Sequence, residues 1–194
     1  RAKNKGRLII HSHDWMAGGV ITAYSRSRGC PVLHTVHNVH TGYIPQEMFY
    51  GVDLDGLANR LYVVEDRGKK CIDSHATAIR NANLINFVGK RFLHEVIEDH
   101  FIDRPIIPPA VRKEVKLRYN QGAVLTIINA PSPALYPESC DCLAKKYGPE
   151  EQILDAKRAN LVAFQKKTGL IENPNAILFY WPSRLDPMQK GIEL

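Results

Sequence analysis

Apolar residues recur along this chain of 194 residues in short runs, separated by stretches in which they return every third or fourth position. Residues 7–11 (RLIIH) read as a strand, and residues 15–28 carry Met16, Val20, Ile21 and Tyr24 at helical spacing, with Gly29 placed to end the helix. Residues 31–36 (PVLHTV) read as a second strand, so residues 7–36 form one β-α-β unit with a parallel strand pair. That unit predicts an α/β fold.

The same reading continues downstream. Residues 56–82 show a mixed pattern that reads as largely helical, residues 84–88 (LINFV) as a strand and residues 90–99 as its helix. Pro105, Pro108 and Pro109 argue against any long regular element across residues 103–122, and residues 123–128 (AVLTII) form another strand. Residues 129–133 (NAPSP) stop that strand, and the irregular stretch to Tyr147 marks a domain crossing. Residues 1–130 are therefore assigned to a first domain, and residues 131–194 to the crossing and the start of a second. Gly148, Pro149, Glu150 and Glu151 open a long helix with Ile153, Leu154, Leu161, Val162 and Phe164 as its apolar positions, closed by Lys166, Lys167 and Gly169. Residues 176–181 (AILFYW) read as the strand that begins a new β unit.

Composition narrows the class. With 44% hydrophobic and 24% charged residues the chain is ordinary for a soluble globular protein and unlike a disordered one. An excess of 26 Lys and Arg over 20 Asp and Glu, net +6, suits an anionic ligand. The basic residues are scattered, with no aromatic-interleaved face, which argues against nucleic acid as a partner. No apolar run approaches the ~20 residues that cross a bilayer, so no membrane association is expected. Cys30, Cys71, Cys140 and Cys142 lack paired zinc spacing, and the C-x-C at the end is too tight for an ordinary disulfide framework. Reduced thiols in a cytoplasmic protein are the simplest expectation.

Candidate chemistry gathers where strands end. His11, Ser12, His13, Asp14 and Trp15 close the first strand, and His37 and Asn38 close the second. In a parallel sheet the carboxyl ends share one edge, where ligands of open α/β folds bind, so Asp14 and His37 should face one crevice. The following loop adds His40, Thr41, Gly42 and Tyr43, which supply polar donors and a glycine for close approach. Taken alone, Asp14 could equally be the N-cap of the next helix. Arg184 and Lys190, just past the run 176–181, place two cations where an α/β protein aims charge at a phosphate. A metal-dependent hydrolase using His11, His13 and Asp14 is the competing reading, since His11 and His13 share a strand face. His34 and His37 should point in opposite directions, and no later acidic or histidine cluster falls near a strand end. Neither G-x-S-x-G nor a glycine-rich phosphate fingerprint occurs.

Four segments, HSHDWMAGG, PVLHTVHNVHTGY, IINAPSPALYP and PSRLDPMQKGIEL, in this order resemble the bacterial glycogen synthase and plant starch synthase family. The resemblance implies a GT-B fold of two Rossmann-like domains. It implies transfer of glucose from ADP-glucose, or UDP-glucose in some members, to the non-reducing end of an α-1,4-glucan with retention, without a divalent metal or other cofactor. By the same resemblance Asp14 and His37 are sugar-site residues, with His37 bonding the donor glucose, and Asn38 and Asn129 are motif asparagines. Gly42 and Tyr43 join them as substrate-binding candidates, and Arg184 and Lys190 bind the donor diphosphate. Where the family has N-G-x-D and V-S-P, this chain reads Asn129-Ala130-Pro131-Ser132 and Val88-Gly89-Lys90. The family's K-x-G-G-L loop and E-x7-E spacing do not occur, so an internal fragment, inactive alone, is expected. A sucrose- or trehalose-type synthase of the same fold is an alternative. A glucan-binding module is disfavoured because Trp15 and Trp181 are expected to be buried beside strand ends.

Overall fold

The computed structural model describes residues 8–100, 106–149 and 153–185. Arg7, residues 103–105, Glu150, Glu151 and Lys190, on which some of the expectations fall, lie outside the described residues. Along the chain run β1 (Ile10–His13), α1 (Asp14–Ala17), α2 (Val20–Ser27), β2 (Val32–Val36), β3 (Tyr43–Pro45), β4 (Val63–Asp66) and β5 (Lys69–Asp73). They are followed by α3 (Ser74–Asn81), β6 (Leu84–Phe87), α4 (Lys90–Ile97), α5 (Pro109–Asn120), β7 (Val124–Thr126) and α6 (Ile153–Thr168). Two compact units divide between Asn129 and Ala130.

In the first unit, β1, β2, β6 and β7 form a parallel sheet in that order, the Rossmann-like arrangement the sequence predicts. Val32 and Val36 of β2 and Ile85 and Phe87 of β6 pack with Ala76 and Ile79 of α3, Leu93 and Val96 of α4, and Val111 and Val115 of α5. Burying each such larger side chain is worth about 1.5–3 kcal/mol, so this cluster holds the sheet to its helices. A second cluster joins Val20 and Ala23 of α2 to Ile72 of β5 and to Leu57 and Leu61 of the intervening loop.

Four expectations are corrected. The helix across residues 15–28 is two helices, because a Cβ on Gly18 would stand 2.5 Å from the Ala78 Cβ and 2.8 Å from the Asp14 carbonyl, and Gly19 has φ +58°. Residues 56–82 are helical only at a 3-10 segment (Asp55–Arg60) and at α3. Between these, β4 and β5 form an antiparallel hairpin turning at Arg67 and Gly68, both with positive φ, and β3 adds to β5. The charged run EDRGKK resembles a solvated helix face, but its glycine belongs to a two-residue hairpin turn. α5 forms despite the prolines: Pro108 is its N-cap and Pro109 stands in the first turn, where a missing N–H costs nothing.

The fourth correction lies in the second unit, where residues 176–181 form no strand. Apolar composition does not make a strand without a neighbouring strand to satisfy its backbone, and no strand occurs among the described residues of this unit. Phe179 is 91% and Trp181 62% exposed, which also overturns the expected burial of Trp181. The long helix is present as α6 and anchors its flanks. Asn160 bonds both the N–H and the carbonyl of Lys145, and Gln165 does the same for Asn173.

Two histidines sit in the interior of the first unit. His34 and His75 are fully buried, with rings in edge contact at 5.2 Å and neither Nε2 hydrogen-bonded. Burial lowers the pKa of both, well below the ordinary value of 6.5 for His34, where the neighbouring His75 adds to it, while the bond to the His40 carbonyl, Asp14 and Asp73 oppose it at His75. Each takes up a proton less readily in the folded state than in the unfolded chain, where the ordinary value is 6.5, so the unfolded state binds more protons as pH falls through that range. Stability is therefore full above that pH and declines as pH drops below it. Urea midpoints measured between pH 7.5 and 5 should fall, and His34→Asn should flatten the slope by up to about 1.4 kcal/mol per pH unit. An unchanged slope would contradict the burial argument. At the helix break, Gly18→Ala should cost about 1–3 kcal/mol by overpacking, read as a lower urea midpoint with the same m-value.

Candidate functional site at the carboxyl edge of the sheet

Parallel pairing sets His13 of β1 beside Thr35 of β2, so the two strands end side by side. Asp14 follows at φ +48°, a left-handed conformation uncommon for a side chain other than glycine. It does not cap the helix: the N-cap of α1 is His13, which makes no capping bond. The Asp14 carboxylate instead crosses to the end of β2, where it accepts the backbone N–H of His37 at 2.7 Å and of Asn38 at 3.3 Å, and the Asn38 Nδ2 at 3.1 Å. Asp14 is only 7% exposed. Hydrogen bonds to a charged acceptor are worth about 1.5–3 kcal/mol each, enough to hold the strained backbone.

His37 is exposed just beyond β2 and its Nε2 stands 3.0 Å from Nδ1 of His13. His11 lies 4.3 Å from His13, ring to ring, and its Nε2 is 2.9 Å from the Thr35 hydroxyl. Loss of solvent lowers the pKa of His13, helped by His11 and His37 and opposed by Asp14. His34 points the opposite way from His37, as expected, with Nδ1 2.8 Å from the buried Ser12 hydroxyl.

The loop that follows is held by the start of α3. Thr41 donates its hydroxyl to Asp73 at 2.5 Å and accepts the N–H of His75, whose Nδ1 donates to the His40 carbonyl at 2.6 Å. Gly42 accepts the N–H of Ser74, and a Cβ there would stand 2.5 Å from the Trp15 ring. Tyr43 opens β3 opposite Asp73, and partial burial with the nearby Asp73 and Asp66 raises its pKa. Asp73, Ser74 and His75 were missed from sequence. An Asp ahead of a helical stretch is an N-cap signal that could have found the first, and Asp73 does accept the N–H of Ala76.

Of the candidates, Asp14, His37 and Asn38 are thus joined directly, and Gly42 and Tyr43 flank them through Trp15 and Asp73. Asn129 is exposed three residues past β7, at the same carboxyl edge of the sheet. Arg184 is exposed in the second unit, and Lys190 lies outside the described residues. No group of three or more His, Cys, Asp or Glu among the described residues is arranged to hold a metal ion. His11 turns its Nε2 to Thr35, His13 its Nδ1 to His37 and Asp14 its carboxylate to the end of β2, so the three residues of that reading do not aim these atoms at one point. The metal-hydrolase reading has no support in this geometry. No helix among the described residues is long and apolar enough to cross a membrane.

Known proteins resemble this chain. The glycogen synthase of Exiguobacterium sibiricum is 27% identical, covering 96% of this chain and 38% of its own. Those of Erwinia tasmaniensis and Acidiphilium cryptum are 28% and 30% identical, each covering 96% of this chain and 37% of their own. The chain therefore spans little more than a third of these relatives. Among solved structures, the catalytic domain of starch synthase IV from Arabidopsis thaliana, bound to ADP and acarbose, superimposes with a TM-score of 0.61 at 19% identity. It covers 84% of this chain and 33% of that one, a likeness of fold that agrees with the expected GT-B architecture. The family model described as starch synthase catalytic domain matches residues 2–104, just over half the chain and including Asp14, His37 and Asn38, so the chain belongs to the starch synthase catalytic domain family.

Proposed function

We propose that this chain is part of a glycogen/starch synthase-like enzyme, which moves glucose from ADP-glucose or UDP-glucose to the non-reducing end of an α-1,4-glucan with retention. The observation that carries the reading is the Asp14 carboxylate fixing His37 and Asn38 at the strand edge, in a chain of this family. Residues 1–130 form the later part of the first Rossmann-like domain, and residues 131–194 the crossing and the start of the second, nucleotide-sugar-binding domain.

In this reading the His37 ring bonds a hydroxyl of the donor glucose, and Asp14 acts by holding that ring's backbone in place. Asn38, Gly42, Tyr43 and Asn129 line the sugar side. Arg184 and Lys190 bind the diphosphate: as the glycosidic bond loosens, negative charge grows on the departing phosphate, and preplaced cations stabilise it more than they stabilise the ground state. No metal or other cofactor is assigned. Because donor and acceptor must be aligned in a site that excludes water, and because that site needs both domains, the isolated chain should transfer no glucose.

The test is incorporation of labelled glucose into amylopectin by a protein of the relatives' full length that carries this chain, with ADP-glucose and UDP-glucose compared as donors. Transfer is expected from one of them, and transfer from neither would sink the reading. In that protein Arg184→Ala and His37→Ala should each lower kcat by on the order of 10²–10³-fold, as loss of one preorganised stabilising group does elsewhere. Asp14→Asn keeps the shape and tolerates the left-handed backbone but loses the charge, so a smaller loss of activity is expected. Wild-type kcat in the Arg184 variant would remove that residue from the diphosphate site.

A further inference from the structure

We infer that His13 is a positioning residue for His37: it accepts the His37 Nε2–H and thereby fixes the ring's tautomer and tilt, leaving Nδ1 as the nitrogen offered to a sugar hydroxyl. This inference rests on the placement of His37 in the sugar site proposed above.

The geometry is specific. His13 Nδ1 and His37 Nε2 are 3.0 Å apart, and the rings lie nearly parallel, 23° between planes at 5.3 Å, so the contact is edge nitrogen to edge nitrogen. A hydrogen bond between two imidazoles needs one protonated and one bare nitrogen. Desolvation and the neighbouring His11 and His37 disfavour a charged His13, so a neutral ring with one bare nitrogen is available. If both rings take the intrinsically favoured Nε2–H form, His37 donates and His13 Nδ1 accepts. His37 Nδ1 then carries no proton and can only accept. A sugar hydroxyl would donate to it, whereas an unfixed ring would offer either a donor or an acceptor at the same place.

The backbone supplies the other half of the constraint. Asp14 holds the His37 main chain at 2.7 Å, and its neighbour His13 holds the ring, so one strand-end dipeptide clamps His37 at two points. His13 is itself exposed and its side chain makes no capping bond, and its ring meets the rings of His11, tilted at 4.3 Å, and His37, edge to edge. Its side chain thus has no evident task in holding the fold.

The test uses the 194-residue chain labelled with ¹⁵N at histidine, without substrate, so that its outcome is independent of the transferase reading. A two-dimensional long-range ¹H–¹⁵N spectrum at pH 7.5 should show His37 in a single tautomer, protonated at Nε2. A scalar coupling from that nitrogen to His13 Nδ1 should be visible across the hydrogen bond. His13→Phe should abolish the coupling and make the second His37 tautomer detectable. His13→Asn, whose amide oxygen can accept at the position of Nδ1, should restore the single form. Backbone amide spectra of the variants report folding. If His13→Phe does not fold, the cross-bond coupling in the unsubstituted chain and the Asn variant decide alone. Absence of the coupling, a mixed tautomer in the unsubstituted chain, or a His37 tautomer indifferent to residue 13 would each overturn the inference.

Discussion

The Asp14 carboxylate is the constraint from which the site follows. It turns away from its own helix and satisfies the first two backbone N–H groups beyond β2, groups that the parallel ladder has no partner for. Strand ends in parallel sheets are ordinarily finished by water or by a capping loop. Here one buried charge joins two of them. The left-handed backbone at Asp14 is the local cost, and it persists because the three hydrogen bonds made by its oxygens leave no alternative position for the side chain. What emerges on the solvent side is a histidine whose main chain is fixed and whose ring is still accessible, which is what a binding group for a polar ligand requires.

Much of the sheet was legible because hydrophobic runs bounded by turn residues admit few readings. Three of the four expected strands of the first unit appear within a residue or two of their expected limits, and the first, expected at residues 7–11, is Ile10–His13. Apart from the prolines, the failures share a cause: each depended on contacts distant in sequence. Gly18 and Gly19 read as tolerable helix residues until Ala78 and Ser74 of α3 are placed against them. Residues 56–82 have helical composition, yet the hairpin wins because Ile72 and Cys71 gain a buried face by pairing with β3 and β4. The prolines near residue 108 were read as breakers when their position at a helix start made them compatible with one. The run 176–181 failed in the other direction, since composition cannot supply a pairing partner.

The candidate residues show the same division. That Asp14 meets His37 and Asn38 was legible because their positions at strand ends are fixed by chain order. The contact between His13 and His37 was not legible, and the metal reading built on His11, His13 and Asp14 finds no support, because spacing along a strand says which side chains share a face but not which way their polar atoms turn. Burial separates the histidines further. His34 and His75 carry lowered pKa values and bare Nε2 atoms in the interior, while His11, His13 and His37 meet at the surface. The same residue type therefore sits in two environments, His34 and His75 in the interior and His11, His13 and His37 at the exposed strand ends.

The small antiparallel sheet is not peripheral to this arrangement. β5 runs directly into α3 through Asp73, and the first residues of α3 brace the turn that carries Asp14: the Ser74 hydroxyl donates to the Trp15 carbonyl at 2.5 Å, and the Ser74 carbonyl accepts the Gly19 N–H at 3.0 Å. Trp15 in turn packs on Gly42, whose carbonyl receives the Ser74 N–H. The loop after β2 and the turn after β1 are thus fastened to one helix end. Any side chain at Gly19 would collide with the Ser74 hydroxyl, and one at Gly42 with the indole, so the absence of a Cβ at both positions is what lets three chain segments meet. Rigidity at His37 is therefore a property of the inserted sheet and α3 as much as of the parallel strands that carry the residue.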